Sequence, residues 1–166
     1  MVMIKNIKIP EERLPVLIGR NGMTRKSIEK KTKTKIDAGE EEVIIEGESI
    51  GVLDAENIIK AIGRGFSPES AELLLNEENA LMIIDLPRGE KNQRRVKSRL
   101  IGTKGKSRRN IERLTGTRIS VYGKTVSLIG KYENVALAEQ AIQKIIKGVP
   151  HRFVYEFLEA RQNERT

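Results

Sequence analysis

The chain has no cysteine and no tryptophan, and one histidine in 166 residues. Without thiols there are no disulfides and no thiolate metal sites, and His151 alone leaves little scope for imidazole chemistry. A lone histidine following a proline is expected to be structural or exposed. The six aromatic residues are too few for a sheet that stacks nucleobases on its face. No apolar run approaches the ~20 residues that span a bilayer, and Met1-Val2-Met3-Ile4-Lys5 lacks the pattern of a signal peptide. These absences lead us to expect a soluble, cytoplasmic protein with no cofactor and no membrane partner. Abundant Lys, Arg and Glu with no cysteine lean toward a thermophile.

What is present is an internal repeat. Leu17-Ile18-Gly19-Arg20-Asn21-Gly22 returns as Leu100-Ile101-Gly102-Thr103-Lys104-Gly105, an offset of 83 residues. The same offset pairs Ile28 with Ile111, Thr32 with Thr115, Ile36 with Ile119, Gly47 with Gly130, Ile59 with Ile142 and Ile62 with Ile145. Two copies of one folded unit follow, each long enough to bury a core. Periodicity predicts strand, helix, helix, strand, strand, helix in each copy.

In the first copy, a strand over 3–9 ends at Pro10 and a helix spans 11–18 despite Pro15. A second helix spans 23–32, strands 35–38 and 42–46 flank a turn, and a helix starts at Ser49 as N-cap. Ser67-Pro68-Glu69 reads as an N-cap, a first-turn proline and an acidic first turn. It opens a short helix that we expect to pack between the halves. The second copy starts with a strand over 81–86 and carries about six extra residues before its glycine turn, within Pro87 to Arg99. Its hairpin turns at Tyr122-Gly123-Lys124. Beyond Pro150, Phe153, Val154, Phe157 and Leu158 recur at helical spacing and are expected to be core residues. The divisions are 1–63 for the first domain, 64–80 for the linker, 81–148 for the second domain and 149–166 for a helical tail.

Charge is unevenly shared. The net charge is +8. Residues 1–63 balance at zero, residues 64–80 carry −3, residues 81–148 carry +11, and the remainder is neutral. Within 91–118, eleven Lys and Arg face one acid, Glu112. That is the footprint of a polyanion-binding surface. The first copy has a basic helix but also an acidic block, with no Lys or Arg from 37 to 56. This block suits either a protein docking face or a solubilising surface.

Two glycines three apart let a backbone approach a phosphate closely, because glycine has no Cβ. Gly105-Lys106-Ser107 also matches the tail of a nucleotide-binding P-loop, but Leu100 stands where that motif needs its first glycine. An Ile-Gly-x-x-Gly turn between two helices, closed by Thr-x-Thr-x-Ile or Thr-Gly-Thr-x-Ile, resembles the KH domain in its type I order. The resemblance implies an α+β fold of two tandem type I KH domains, each a three-stranded antiparallel sheet covered by helices.

In a KH module the GxxG loop clamps about four backbone nucleotides of a single strand, with the bases lying against the second strand. That assigns phosphate contact to Gly102, Thr103, Lys104 and Gly105, reinforced by Lys106, Arg108 and Arg109. Gly19, Arg20, Asn21 and Gly22 are the counterparts, with Arg25 and Lys26 behind them. Arg118 and Ile119 are candidates for the base-facing side.

The spacing of the copies, Gly65-Phe66-Ser67-Pro68-Glu69, Ile84-Asp85-Leu86 and Gly148-Val149-Pro150-His151 resemble the archaeal counterpart of the small-subunit assembly factor called partner of Nob. Membership implies no enzymatic activity. It implies binding near the 3′ end of small-subunit ribosomal RNA, beside the Nob endonuclease and other small-subunit or translation factors. The eukaryotic members have a degenerate first copy, whereas both Gly19 and Gly22 are present here. Two other readings are a protein-interaction scaffold and a general single-stranded RNA binder in RNA turnover.

Overall fold

The computed structural model describes residues 1–165, the side chain of Arg165 excepted. It divides into two compact units, Met1–Asn76 and a second from Glu77 onward.

In the first unit, β1 (Val2–Ile7) leads into a 3₁₀ turn at Glu11–Arg13 and the short α1 (Leu14–Ile18). A 3₁₀ turn at Arg20–Gly22, α2 (Met23–Thr32), β2 (Thr34–Ala38), β3 (Val43–Glu48) and α3 (Ser49–Gly63) follow. The unit closes with α4 (Pro68–Ala71) and a 3₁₀ turn at Glu72–Leu75. The sheet is antiparallel in the order β1-β3-β2, with Ile36 opposite Ile45. Side chains alternate across a strand, so Ile36, Val43 and Ile45 turn inward while the other face stays open. With Leu17, Ile28, Ile58, Ile59 and Ile62 they are buried.

The second unit repeats this plan with β4 (Asn79–Asp85), α5 (Glu90–Ile101), a 3₁₀ turn at Thr103–Gly105 and α6 (Lys106–Thr115). Next come β5 (Arg118–Tyr122), β6 (Thr125–Lys131), α7 (Tyr132–Ile146) and α8 (His151–Arg165). The sheet order is β4-β6-β5. Its core gathers Ile84, Val96, Leu100, Ile111, Ile119, Leu128, Ile142 and Ile145, with Val154 and Leu158 from α8.

The closing Thr-x-Thr-x-Ile pattern has a local cause. Thr32 Oγ1 donates to Ile28 O at 2.7 Å and Thr115 Oγ1 to Ile111 O at 2.7 Å, satisfying a last-turn carbonyl of each helix. With that proton committed, Thr34 and Thr117 donate to those oxygens at 2.7 and 2.8 Å, tying helix end to strand start. The residue between the threonines is left-handed in the first copy, Lys33 at φ 56, and a glycine, Gly116 at φ 70, in the second. Glu29 and Glu112 complete the joint by accepting from Ile36 N at 2.7 Å and Ile119 N at 2.9 Å.

A second device recurs with its donor moved. Arg13 donates to Ile62 O at 2.7 Å and to Phe66 O at 2.8 Å. Arg99 donates to Ile145 O at 2.5 Å and to Val149 O at 2.7 Å. The four acceptors sit at equivalent repeat positions, while the arginines do not. In each unit a planar fork holds the end of α3 or α7 against the segment before the loop.

Several boundaries differ from expectation. The helix over 11–18 is split into a 3₁₀ turn and α1, with Pro15 in the first turn, where its missing N–H costs nothing. Ser49 is not the N-cap of α3. Glu48 takes that place, and Ser49 Oγ instead donates to Met1 O at 3.2 Å. Ser67 does cap α4, accepting from Ser70 N at 3.2 Å, and α4 packs on α3 within the first unit. Asn79 and Ala80, expected at the end of the linker, pair in β4 with Lys131 and Gly130. The extra residues of the second copy extend α5 to 12 residues, against 5 in α1. In α8, Val154 and Leu158 are core, but Phe153 is 47% exposed beneath Arg152, and Phe157 is partly buried beneath Lys144 and Arg161.

Candidate nucleic-acid interface

The two glycine loops share one backbone. Gly19 and Gly102 have φ/ψ of 73/178 and 74/175. Asn21 and Lys104 are left-handed at 56/28 and 54/29, and Gly22 and Gly105 at 74/13 and 75/14. Sequences as different as Arg-Asn and Thr-Lys reach the same geometry because the flanking glycines set it. The first glycine is obligatory. A Cβ on Gly102 would lie 2.8 Å from Ser107 N, and one on Gly19 would lie 2.8 Å from Thr24 N, both backbone atoms that cannot step aside. Gly22 and Gly105 N–H close each loop onto the carbonyls of Gly19 and Gly102 at 3.2 Å.

This turn delivers a helix start that no side chain caps. Gly22 and Gly105 are the N-caps of α2 and α6, and neither helix has a side-chain cap hydrogen bond. The first N–H of each helix, at Met23 and Lys106, turns back to Arg20 O and Thr103 O, while the positive end of the helix dipole is offset by no side-chain cap, an arrangement that favours phosphate oxygens.

The cations divide into free and engaged sets. Lys104 and Lys106 are exposed at the second loop beside the neutral Thr103, as are Arg20 and Lys26 at the first beside Asn21. Arg108 binds Glu112 at 2.9 Å and Arg25 binds Glu29 at 3.0 Å, each one helical turn on. Arg25 also donates to Ile36 O at 3.2 Å, and Arg109 to Lys104 O at 2.6 Å, which braces the loop. These arginines are positioned by internal acceptors, yet remain close by. Arg109 Nη1 and Arg108 Nη2 lie 3.0 and 3.8 Å from where a Cβ of Gly105 would stand.

Arg118 and Ile119 do not form one base-facing pair. Arg118 is exposed on β5, whereas Ile119 is 6% exposed within the core. Alternation along the strand sends them to opposite faces, so Ile119 is a packing residue.

The surroundings of the loops differ in a way that spacing could not reveal. Beside the first, a cleft of about 350 Å³ is bordered by Met23, Thr24, Ser27 and Lys31 and by Glu69 and Glu72. Lys31 is held by Glu72 at 2.7 Å. Beside the second, the wall is α8, with His151 and Tyr155. A further cleft of about 420 Å³ runs along α5 past Arg94, Lys97 and Ile101. The first loop thus sits against carboxylates and the second among cations, hydroxyls and rings. Sequence reasoning placed His151 outside the site. Its position after Pro150 gave no sign that α8 lies against α6. Among the described residues there is no group of three or more His, Asp or Glu placed to hold a metal ion, and no helix long and apolar enough to cross a membrane.

Two units with this strand and helix order, each carrying a glycine-framed helix start, define a tandem type I KH protein. Residues 4–61 match the KH domain, and residues 80–163 match the eukaryotic type KH-domain (KH-domain type I). The chain belongs to the Pno1/Dim2 family of KH-domain proteins. A KH domain-containing protein of Methanocaldococcus jannaschii is 42% identical over 171 residues, covering 97% of this chain and 75% of that one. The pre-rRNA-processing protein pno1 of Aspergillus oryzae is 32% identical over 107 residues, 60% of this chain and 41% of the fungal protein. Among solved structures, a chain of the a/eIF2alpha-aDim2p-rRNA complex from Pyrococcus horikoshii OT3 aligns with a TM-score of 0.91 and 43% identity. That alignment covers 99% of this chain and 96% of the other.

Proposed function

We propose that this protein binds single-stranded RNA through its GxxG loops in ribosome biogenesis, and that the second loop is the main clamp. The observation that carries the reading is the start of α6, which no side chain caps, framed by exposed Thr103, Lys104 and Lys106. Glu69 and Glu72 border the matching cleft of the first unit and disfavour a phosphate backbone there. The phosphate set is Gly102, Thr103, Lys104, Gly105 and Lys106, supported by Arg108 and Arg109. The RNA is the 3′ region of small-subunit ribosomal RNA during its maturation in the cytoplasm, with the Nob endonuclease as a neighbouring factor. The role is binding, not catalysis. Relatives whose names refer to pre-rRNA processing and to an rRNA complex support this reading.

The test compares two double variants of equal charge change. Thr103→Asp with Lys104→Asp and Arg20→Asp with Asn21→Asp each lower the net charge by three. They are titrated beside wild type against a short single-stranded RNA from the small-subunit 3′ end and a scrambled control, with circular dichroism verifying the fold. Loss confined to the second-loop variant, with preference over the scramble, is expected. Equal binding by all three proteins would sink the clamp and favour a scaffold role. That alternative draws on the first unit, where Val2 and Ile4 stand exposed on β1 opposite Glu48 and Glu46 of β3, and Ile50 is exposed at the start of α3.

A further inference from the structure

A cleft of about 370 Å³ opens between the second loop and α8, within the ~300–1,000 Å³ range of small-ligand sites. Gly102, Thr103, Lys106 and Ser107 line one side, His151 and Tyr155 the other. No lining residue comes from β5, so the cleft lies outside the groove in which the second strand receives bases.

Three features mark it as built for an occupant. Ser107 is 3% exposed, and its hydroxyl has no hydrogen-bond partner, a costly arrangement unless something else supplies one. The start of α6, one residue away, carries no side-chain cap, Lys106 N alone turning back to Thr103 O. His151 Nε2 donates to Arg99 O at 2.7 Å, which fixes the ring and leaves Nδ1 for a ligand. Its ring centroid is 6.0 Å from that of Tyr155, at 43°. The first unit has carboxylates in the corresponding place.

We infer that this cleft is an additional nucleotide subsite, resting on the clamp reading above. The base adjoining the clamped segment lies against His151 and Tyr155, and the Ser107 hydroxyl hydrogen-bonds to the same nucleotide. Lys106 balances its phosphate. The second unit thereby binds one nucleotide more than its β5 groove accounts for.

The experiment titrates the full chain with labelled single-stranded RNAs of increasing length from the small-subunit 3′ end. Wild type is expected to gain about tenfold in affinity at one added nucleotide, the scale of one stacked base. His151→Gln with Tyr155→Leu keeps a donor for Arg99 O, should bind the shortest RNA as wild type does, and should lose that step. Ser107→Ala should unfold at higher urea and lose part of the step, whereas a purely structural Ser107 would shift only the unfolding midpoint. In wild type, 2-aminopurine at the flanking position should be quenched on binding, a readout that needs no variant to fold. A step that survives removal of both rings, or no step and no quenching in wild type, overturns the subsite. If Thr103→Asp with Lys104→Asp also binds the shortest RNA normally, the clamp itself has failed. A missing step with an intact clamp removes the subsite alone.

Discussion

Replacing Gly102 by alanine should be far more damaging than replacing Gly105, although they form one motif. Gly102 sits at φ 74, ψ 175, a region almost closed to residues with a Cβ, where strain is ~1–3 kcal/mol. The added methyl would also lie 2.8 Å from both Ser107 N and Cβ, so α6 must shift and the total should reach about 3 kcal/mol. Gly105 is left-handed at φ 75, ψ 14. There an alanine costs ~1 kcal/mol, as Lys104 next door already tolerates such a backbone. Its nearest obstacle is the Arg109 guanidinium at 3.0 Å, the far end of a flexible chain. The difference of about 2 kcal/mol corresponds to about 1 M in urea midpoint. Tyrosine fluorescence reads it cleanly, because Tyr122, Tyr132 and Tyr155 all belong to the second unit. Equal midpoints for the two variants would refute the claim that the first glycine alone is obligatory.

Other outcomes follow from the same geometry. Glu112→Ala should destabilise the second unit by about 2 kcal/mol, because Ile119 N loses a charged acceptor and Arg108 its partner; Glu29→Ala should act alike in the first unit, and calorimetry of both variants checks this. Arg99→Lys should cost about 1–2 kcal/mol, since an ammonium cannot span the carbonyls of Ile145 and Val149; chemical denaturation followed by tyrosine fluorescence would detect it. RNA affinity should fall with salt at a log-log slope near −0.7 per phosphate contact, and Thr103→Asp with Lys104→Asp should make that slope shallower. A slope unchanged by the variant would argue that the loop touches no phosphate.

Much of the fold was legible because its rules are local. Glycines at fixed spacing dictate the turn, the threonine pair ends one helix and starts a strand, and the periodicity of Ile28, Ile36, Ile59 and Ile62 marks buried faces in both copies. Charge by segment singled out the second unit for the same reason, since net charge is additive along the chain. The ends of elements were less legible. Ser49 has the chemistry of an N-cap, but Met1 O lay close enough to take its hydroxyl.

The sequence by itself determined two repeats, their element order, the loop backbone and the unit in which positive charge accumulates. Only the tertiary structure decided which of those charges are free. Eleven cations between 91 and 118 look equivalent in sequence. Yet Arg99 is committed to carbonyls up to 50 residues away, Arg108 to Glu112 and Arg109 to Lys104 O. It also turned Ile119 inward, set carboxylates beside one loop and brought His151 and Tyr155 beside the other. A long side chain binds the acceptors within its reach, and which acceptors those are is settled only when distant segments pack together.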